Sequence, residues 1–216
     1  MHRNQLGNPL PSTRLEEHRL DAARPIVRLL VILDRSLSMA PHQELVAESL
    51  RSFVNTLTGA PDQPRYIATL VGFAGQVQTI LLRKPIEELA IAYKADGEGT
   101  ALWDAMAHAF MLEQSRREPV ICLIVSDGED NVSREADQKQ VASMIGSRRE
   151  WGNWTFLWLN LQGKPSKNAR ALGINCFDST LVQINESLPE VANQIRRVGA
   201  RLTGSNRRLL PPGLDR

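Results

Sequence analysis

Ile26-Val27-Arg28-Leu29-Leu30-Val31-Ile32-Leu33, running straight into Asp34-Arg35-Ser36-Leu37-Ser38, is the stretch from which the rest of the chain can be read. Its apolar, β-branched part predicts a buried strand over residues 26–33. Continuous apolarity, rather than alternation, means a strand covered on both faces. The polar part begins where the strand stops. Asp34, Ser36 and Ser38 stand two apart there, so in extended backbone their side chains can point the same way.

Outward from this stretch, strand and helix patterns alternate. Leu45, Val46, Leu50, Phe53, Val54 and Leu57 fall on one helical face, with Gly59 as the stop. Residues 66–73 read as a second strand. Ala74-Gly75 turns the chain into residues 76–82, where Val77, Thr79 and Leu81 alternate with Gln76, Gln78 and Ile80, a hairpin ending in an edge strand. Asp96-Gly97-Glu98-Gly99-Thr100 is a flexible loop before a helix expected over residues 101–117. A third core strand follows over 119–126, then a helix capped by Ser133 and running to Trp151. Strands are expected over 154–161 and 174–177. Ser187 with Glu190 makes a capping box, Pro189 suits a first helical turn, and Val191, Ile195, Val198 and Leu202 form the stripe of a last helix.

This order predicts an α/β fold: a doubly wound, mostly parallel six-stranded sheet with one antiparallel edge strand and helices on both faces. The domain spans 25–202, preceded by an extension over 1–24 and followed by a basic tail over 203–216; no internal repeat is visible. In such sheets ligands bind at the carboxyl ends of the strands, where strand order reverses. Function is therefore sought in the loops after Leu33, Phe73 and Ser126.

Composition sets the outer bounds. The chain has 216 residues, 42% hydrophobic and 23% charged, enough to fold without a disulfide or metal staple. Lys and Arg number 26 against 24 Asp and Glu, a formal net charge of +2, which gives no whole-protein field for nucleic acid or membrane. Cys122 and Cys176 are too few for a disulfide framework or a cysteine-based zinc cluster, and Cys122 lies in the apolar run 120–125 as a small buried hydrophobe. No apolar stretch approaches the roughly 20 residues of a membrane span. Met1-His2-Arg3-Asn4-Gln5-Leu6-Gly7 has no apolar signal region behind it. A reduced, cytoplasmic protein is expected.

Three loops should converge at the strand ends. They carry Asp34, Ser36 and Ser38, then Gly99-Thr100, then Ser126-Asp127-Gly128-Glu129-Asp130. Two carboxylates, Asp34 and Asp127, thus meet three hydroxyls, Ser36, Ser38 and Thr100, with no histidine or thiol. Hard oxygen donors of modest total charge suit a small hard cation, Mg²⁺ or Mn²⁺.

Together, Asp34-x-Ser36-x-Ser38, Gly99-Thr100 and Asp127-Gly128 after an apolar strand resemble the von Willebrand factor A (VWA) domain family and its metal-ion-dependent adhesion site (MIDAS). The resemblance covers residues 25–202. Residues 99–105 and 124–131 are also similar to stand-alone bacterial members, some beside kinases and phosphatases in stress response, others adaptors for AAA+ ATPases. The resemblance implies a Rossmann-like VWA fold. It also implies Ser36 and Ser38 as direct ligands, Thr100 as a ligand directly or through water, and Asp34 and Asp127 acting mostly through waters. A position is left for an Asp or Glu carboxylate of a protein partner. Neutral hydroxyls around the cation leave its charge poorly neutralised, and so attractive to that carboxylate.

A metal-dependent protein-binding adaptor, not an enzyme, is the expected function. A Mg²⁺-dependent phosphoesterase is the alternative, but a haloacid-dehalogenase-type enzyme needs a second Asp where Ser36 stands. No phosphate loop, dinucleotide fingerprint or nucleophile elbow is present. The remaining alternative is a scaffold whose metal only braces the loops. Asp104 is placed either to hydrogen-bond the first loop or to be a solvated helix residue. Glu98, Glu129 and Asp130 read as ordinary polar loop. His2, His18, His42 and His108 read as surface positions, and Trp151, Trp154 and Trp158 as packing. The six arginines over 196–216 read as a helix face and soluble tail.

Overall fold

The structure, a computed structural model, describes residues 24–58, 64–89, 93–127, 129–160 and 166–178, together with 195 and 197. The expected capping box at Ser187, most of the last helix, the tail over 203–216, Gly59, Gly128 and the extension before Arg24 lie outside these residues. In the sheet, β1 (Ile26–Asp34) is flanked by β2 (Arg65–Phe73) and β4 (Val120–Val125), both parallel to it. Beyond β2 comes the antiparallel edge strand β3 (Val77–Pro85); beyond β4 come β5 (Trp154–Asn160) and β6 (Asn175–Asp178), both parallel. The order β3-β2-β1-β4-β5-β6 is the doubly wound, six-stranded sheet with one antiparallel edge that the sequence predicts.

Alternating side chains of β1 feed two cores. Val27, Leu29, Val31 and Leu33 pack with Val46, Leu50, Phe53 and Leu57 of α1 (Gln43–Thr58), and Ile195 is buried in the same core. Leu30 and Ile32 pack on the other face with Met106 and Phe110 of α2 (Leu102–Leu112) and Val141 and Ile145 of α3 (Gln138–Glu150). Each fully buried aliphatic side chain of this kind contributes about 1.5–3 kcal/mol. Cys122 is buried, as its apolar run implies. Trp154 and Trp158 are buried too, and Phe110, Trp151, Trp154 and Phe156 touch edge-on or stacked, which is the packing role expected of the tryptophans.

Three expectations are corrected. The helix begun at Leu102 ends at Leu112, not at residue 117. After it, Glu113 accepts from the Ser115 amide, and Ser115 and Glu118 exchange hydrogen bonds, so local side chains take over the backbone's partners. Pro119 further disfavours helix at Glu118. The next helix, α3, is capped by Asp137 in a box with Gln140 rather than by Ser133. His42 and His108 are half-buried rather than surface residues, and the His108 Nε2 lies 2.8 Å from the Thr79 hydroxyl. Short helical segments at Leu37–His42, Ile86–Leu89 and α4 (Lys167–Ala171) had no sequence signal long enough to read.

The edge is bent as well. Register shifts interrupt the β2–β3 pairing around Leu70, and Arg83 adopts φ 51°. Its amide donates to the Thr69 hydroxyl and its guanidinium to the Leu112 carbonyl. Bulging and a basic side chain blunt an edge strand against pairing.

Candidate metal centre

Strand order reverses between β1 and β4, and both strands end at the same end of the sheet. There Asp34 is fully buried, and its carboxylate is shared. Oδ1 accepts from the Ser36 amide at 2.9 Å, and Oδ2 accepts from the Ser126 hydroxyl at 2.7 Å. The Ser36 and Ser38 hydroxyl oxygens lie 2.9 Å apart. Ser36 is buried and Ser38 exposed, so the cluster runs from the sheet end to the surface.

The Thr100 loop is drawn to the same place by its backbone. Ser36 bridges to Gly97, and the Leu37 amide donates to the Gly97 carbonyl at 2.9 Å. A Cβ on Gly97 would stand 2.2 Å from that of Ala74, so only glycine permits this approach. On its far side the Thr100 amide donates to Asn131 Oδ1 at 2.8 Å, and the Asn131 amide donates to the Thr100 carbonyl at 3.1 Å. Thr100 itself is buried. Asp127 is half-buried after β4, and its charge acts on both Asp34 and Tyr93.

Burial pushes the Asp34 carboxyl above its ordinary range; its hydrogen bonds from Ser36 and Ser126 pull the other way, and the Asp127 charge pushes it up again. Two carboxylates held together with one of them desolvated form a site whose charge a cation would relieve. The donor chemistry fits a small hard cation. The two serine hydroxyls are hydrogen-bonded to each other at 2.9 Å, a separation that neighbouring oxygens around an octahedral Mg²⁺ at about 2.0–2.1 Å would also have. No group of three or more His, Cys, Asp or Glu side chains that could hold a metal occurs among the described residues, so any ion here leans on hydroxyls.

Several residues of the site carried no reading in the sequence. Tyr93 donates its hydroxyl to the Asp34 backbone carbonyl at 2.6 Å, and its buried phenol is pushed upward by desolvation and by the Asp34 charge. Arg35 spans the first loop and the 94–97 segment: Nε donates to the Lys94 carbonyl, one amino group to Gln78, and the other pairs with Asp96 at 2.9 Å. Only Ser126 had a visible signal, as a hydroxyl at a strand end beside Asp127.

Asp104 does neither thing expected of it. Its carboxylate accepts from the amides of Arg134, Glu135 and Ala136, fastening the segment before α3 to α2. Nor is Asp130 ordinary loop: it accepts from the Leu102 amide and the Ser133 hydroxyl, and Ser133 in turn accepts from the Trp103 amide, so both cap α2. Glu98 and Glu129 are exposed.

No family model matches the sequence, and no curated protein matches it. Solved structures do. The vWF domain of the type V pili tip protein Mfa5 from Porphyromonas gingivalis superposes with a TM-score of 0.63 at 10% identity, over 80% of this chain and 96% of that one. Proximal thread matrix protein 1 from the mussel byssus gives 0.60 at 16% identity over 80% of this chain, and von Willebrand factor type A from Catenulispora acidiphila gives 0.55 at 18% over 78%. The chain spans less than half of these two proteins, 46% and 42% of their lengths. At such identities the likeness is one of fold: a von Willebrand factor A-like, Rossmann-type α/β sheet. No helix among the described residues is long and apolar enough to cross a membrane.

Proposed function

We propose that this chain, built on a von Willebrand factor A-like fold, is a metal-dependent protein-binding module. Asp34, Ser36, Ser38, Thr100 and Asp127 would hold Mg²⁺ or Mn²⁺, and the cation would supply a Lewis-acidic position for an Asp or Glu carboxylate of a protein partner. The observation that carries this reading is the pair of serine hydroxyls 2.9 Å apart above a buried carboxylate, at the reversal of strand order. Two solved structures of like fold are those of a pilus tip protein and a thread matrix protein. The reading as a mere brace has less support. Arg35, Tyr93, Asn131 and Gly97 already join the loops by direct hydrogen bonds and close packing. A phosphoesterase lacks a residue to protonate the leaving group, since Ser36 stands where that acid is needed. The partner settings suggested by the sequence, a kinase and phosphatase pair or an AAA+ ATPase, belong to this proposal, as does a cytoplasmic location.

The test uses the tagged full chain as bait in Mg²⁺ and in EDTA, with Asp34→Ala beside it and calorimetric titration of both proteins with Mg²⁺ and Mn²⁺. The reading expects heat from metal binding to the native chain, none for Asp34→Ala, and partners retained only by the native chain with metal. Absence of metal binding by the native chain, or partners indifferent to metal and to Asp34, would overturn it.

A further inference from the structure

The near-zero net charge conceals a division between the two ends of the sheet. At the end where the parallel strands begin, guanidinium groups are interleaved with aromatic rings. Arg116 is exposed and lies 4.6 Å from the centre of the Trp151 ring. Beneath it Arg148 is only 6% exposed, 4.9 Å from the Phe110 ring centre, 5.3 Å from that of Trp151 and 5.0 Å from that of Trp154. Arg148 donates to the carbonyls of Met144 and Phe110, its Nε has no hydrogen-bond partner, and it forms no ion pair among the described residues. Arg149 is fixed by the carbonyls of Leu172 and Gly173, and Arg117, next to Arg116 in the chain, is exposed. Stacking holds these cations in place, so less conformational freedom is lost when an anion meets them. Of the nearby acids, Glu118 is engaged by Arg28 and Ser115, and Glu113 by Ser115, which leaves Glu150 as the exposed one on this rim.

At the opposite end Glu98, Glu129, Glu135 and Asp137 are exposed, while Arg35 and Lys94 are tied to Asp96, and Arg134, Lys139 and Lys167 are exposed bases at the same end. Glu87 and Glu88 are exposed at the arginine end too, but beyond the β3 edge of the sheet, so among the described residues the complementarity lies between the arginine–aromatic rim and this acidic cluster.

We infer that the arginine–aromatic face over Arg116, Arg117, Arg148 and Arg149 docks the acidic end of a second copy of this chain, head to tail. Such a contact joins different surfaces, so it does not close into a two-fold dimer and extends with concentration. It goes beyond the metal-binding reading and does not rest on it, because Glu98 and Glu129 lie outside the proposed ligand set.

Sedimentation of the full chain in EDTA tests it, at roughly 20 mM and about 500 mM NaCl, where exposed charges are weakly and strongly screened. The expected result is an average mass rising above that of the monomer with concentration at low salt and returning to the monomer at high salt. Arg116→Glu with Arg117→Glu should abolish the rise, as should Glu98→Lys with Glu129→Lys, each with an unchanged circular dichroism spectrum and melt. An equal mixture of the two variants should associate again, because each restores the face the other has lost. A native chain that stays monomeric at low salt, association untouched by either reversal, a mixture that stays monomeric, or association that needs Mg²⁺ and fails in Asp34→Ala would each overturn the inference.

Discussion

Tyr93 shows how much of the site rests on single side chains far from it in sequence. Its hydroxyl holds the carbonyl of Asp34, the residue that ends β1. Tyr93→Phe removes that donor and leaves a buried carbonyl short of a partner. A loss of about 1–3 kcal/mol is expected in urea unfolding. Gly97→Ala acts more sharply on position than on stability. Its new Cβ would lie inside the Ala74 methyl, so the loop that carries Thr100 must move away from Ala74, which disturbs its bridge to Ser36. On the proposed reading this variant folds but binds Mg²⁺ at least tenfold more weakly in calorimetry, about 1.4 kcal/mol. Asp34 and Asp127 of the candidate site were readable as carboxylates at strand ends. Tyr93 was not, because nothing in its neighbourhood sets it apart from a core tyrosine until the fold brings it to Asp34.

Among the elements, α2 and the segments around it account for most of the corrections. A helix boundary is decided by competing hydrogen bonds, and those around α2 come from both near and far. Asp104 collects three amides from 134–136, and Asp130 and Ser133 return the favour at the start of α2. Asp104→Ala therefore strands several amides at once and should cost about 2–4 kcal/mol in chemical denaturation. Ser133 reads in sequence as the cap of the following helix, since a serine before an apolar pattern caps locally by default. Only the packing of that segment against α2 reassigns it. At the other end of α2, the Ser115 hydroxyl, ahead of Arg28, holds the Glu118 carboxyl below its ordinary value. A depressed carboxylate adds stability that is present above its unfolded-state value and lost as the pH falls through the folded one. Native protein should lose stability on this account in the acid range, and Glu118→Gln should flatten that part of a plot of unfolding free energy against pH.

For the molecule as a whole, the proposed cation couples binding to folding. A ligand that binds the native state alone at about 100 times its Kd adds about 2.7 kcal/mol, which for a chain of this size is about 5–10 °C in Tm. Thermal melts with and without Mg²⁺ should differ by that much for the native chain and not at all for Asp34→Ala. A melt that ignores Mg²⁺ at millimolar concentration would count against the metal centre, though not against the head-to-tail contact, which is salt-dependent and metal-independent.

The alternation of apolar strands with amphipathic helices determined, from sequence alone, the doubly wound sheet and its antiparallel edge. These follow from periodicity, which is local and survives without knowledge of contacts. Of the residues expected to bind metal, Asp34 and Asp127 could be placed at strand ends for the same reason, whereas Ser38 falls in the short helical segment Leu37–His42 and Thr100 in the loop before α2. What only the tertiary structure decided is where each polar side chain spends its hydrogen bonds: Asp104 on the 134–136 segment and Ser133 at the start of α2, Arg35 across to Asp96, Tyr93 onto Asp34, and Arg148 among the aromatic rings. Polar groups pair with whatever the fold brings within about 3 Å, and partners tens of residues apart leave no mark in the pattern of a single chain.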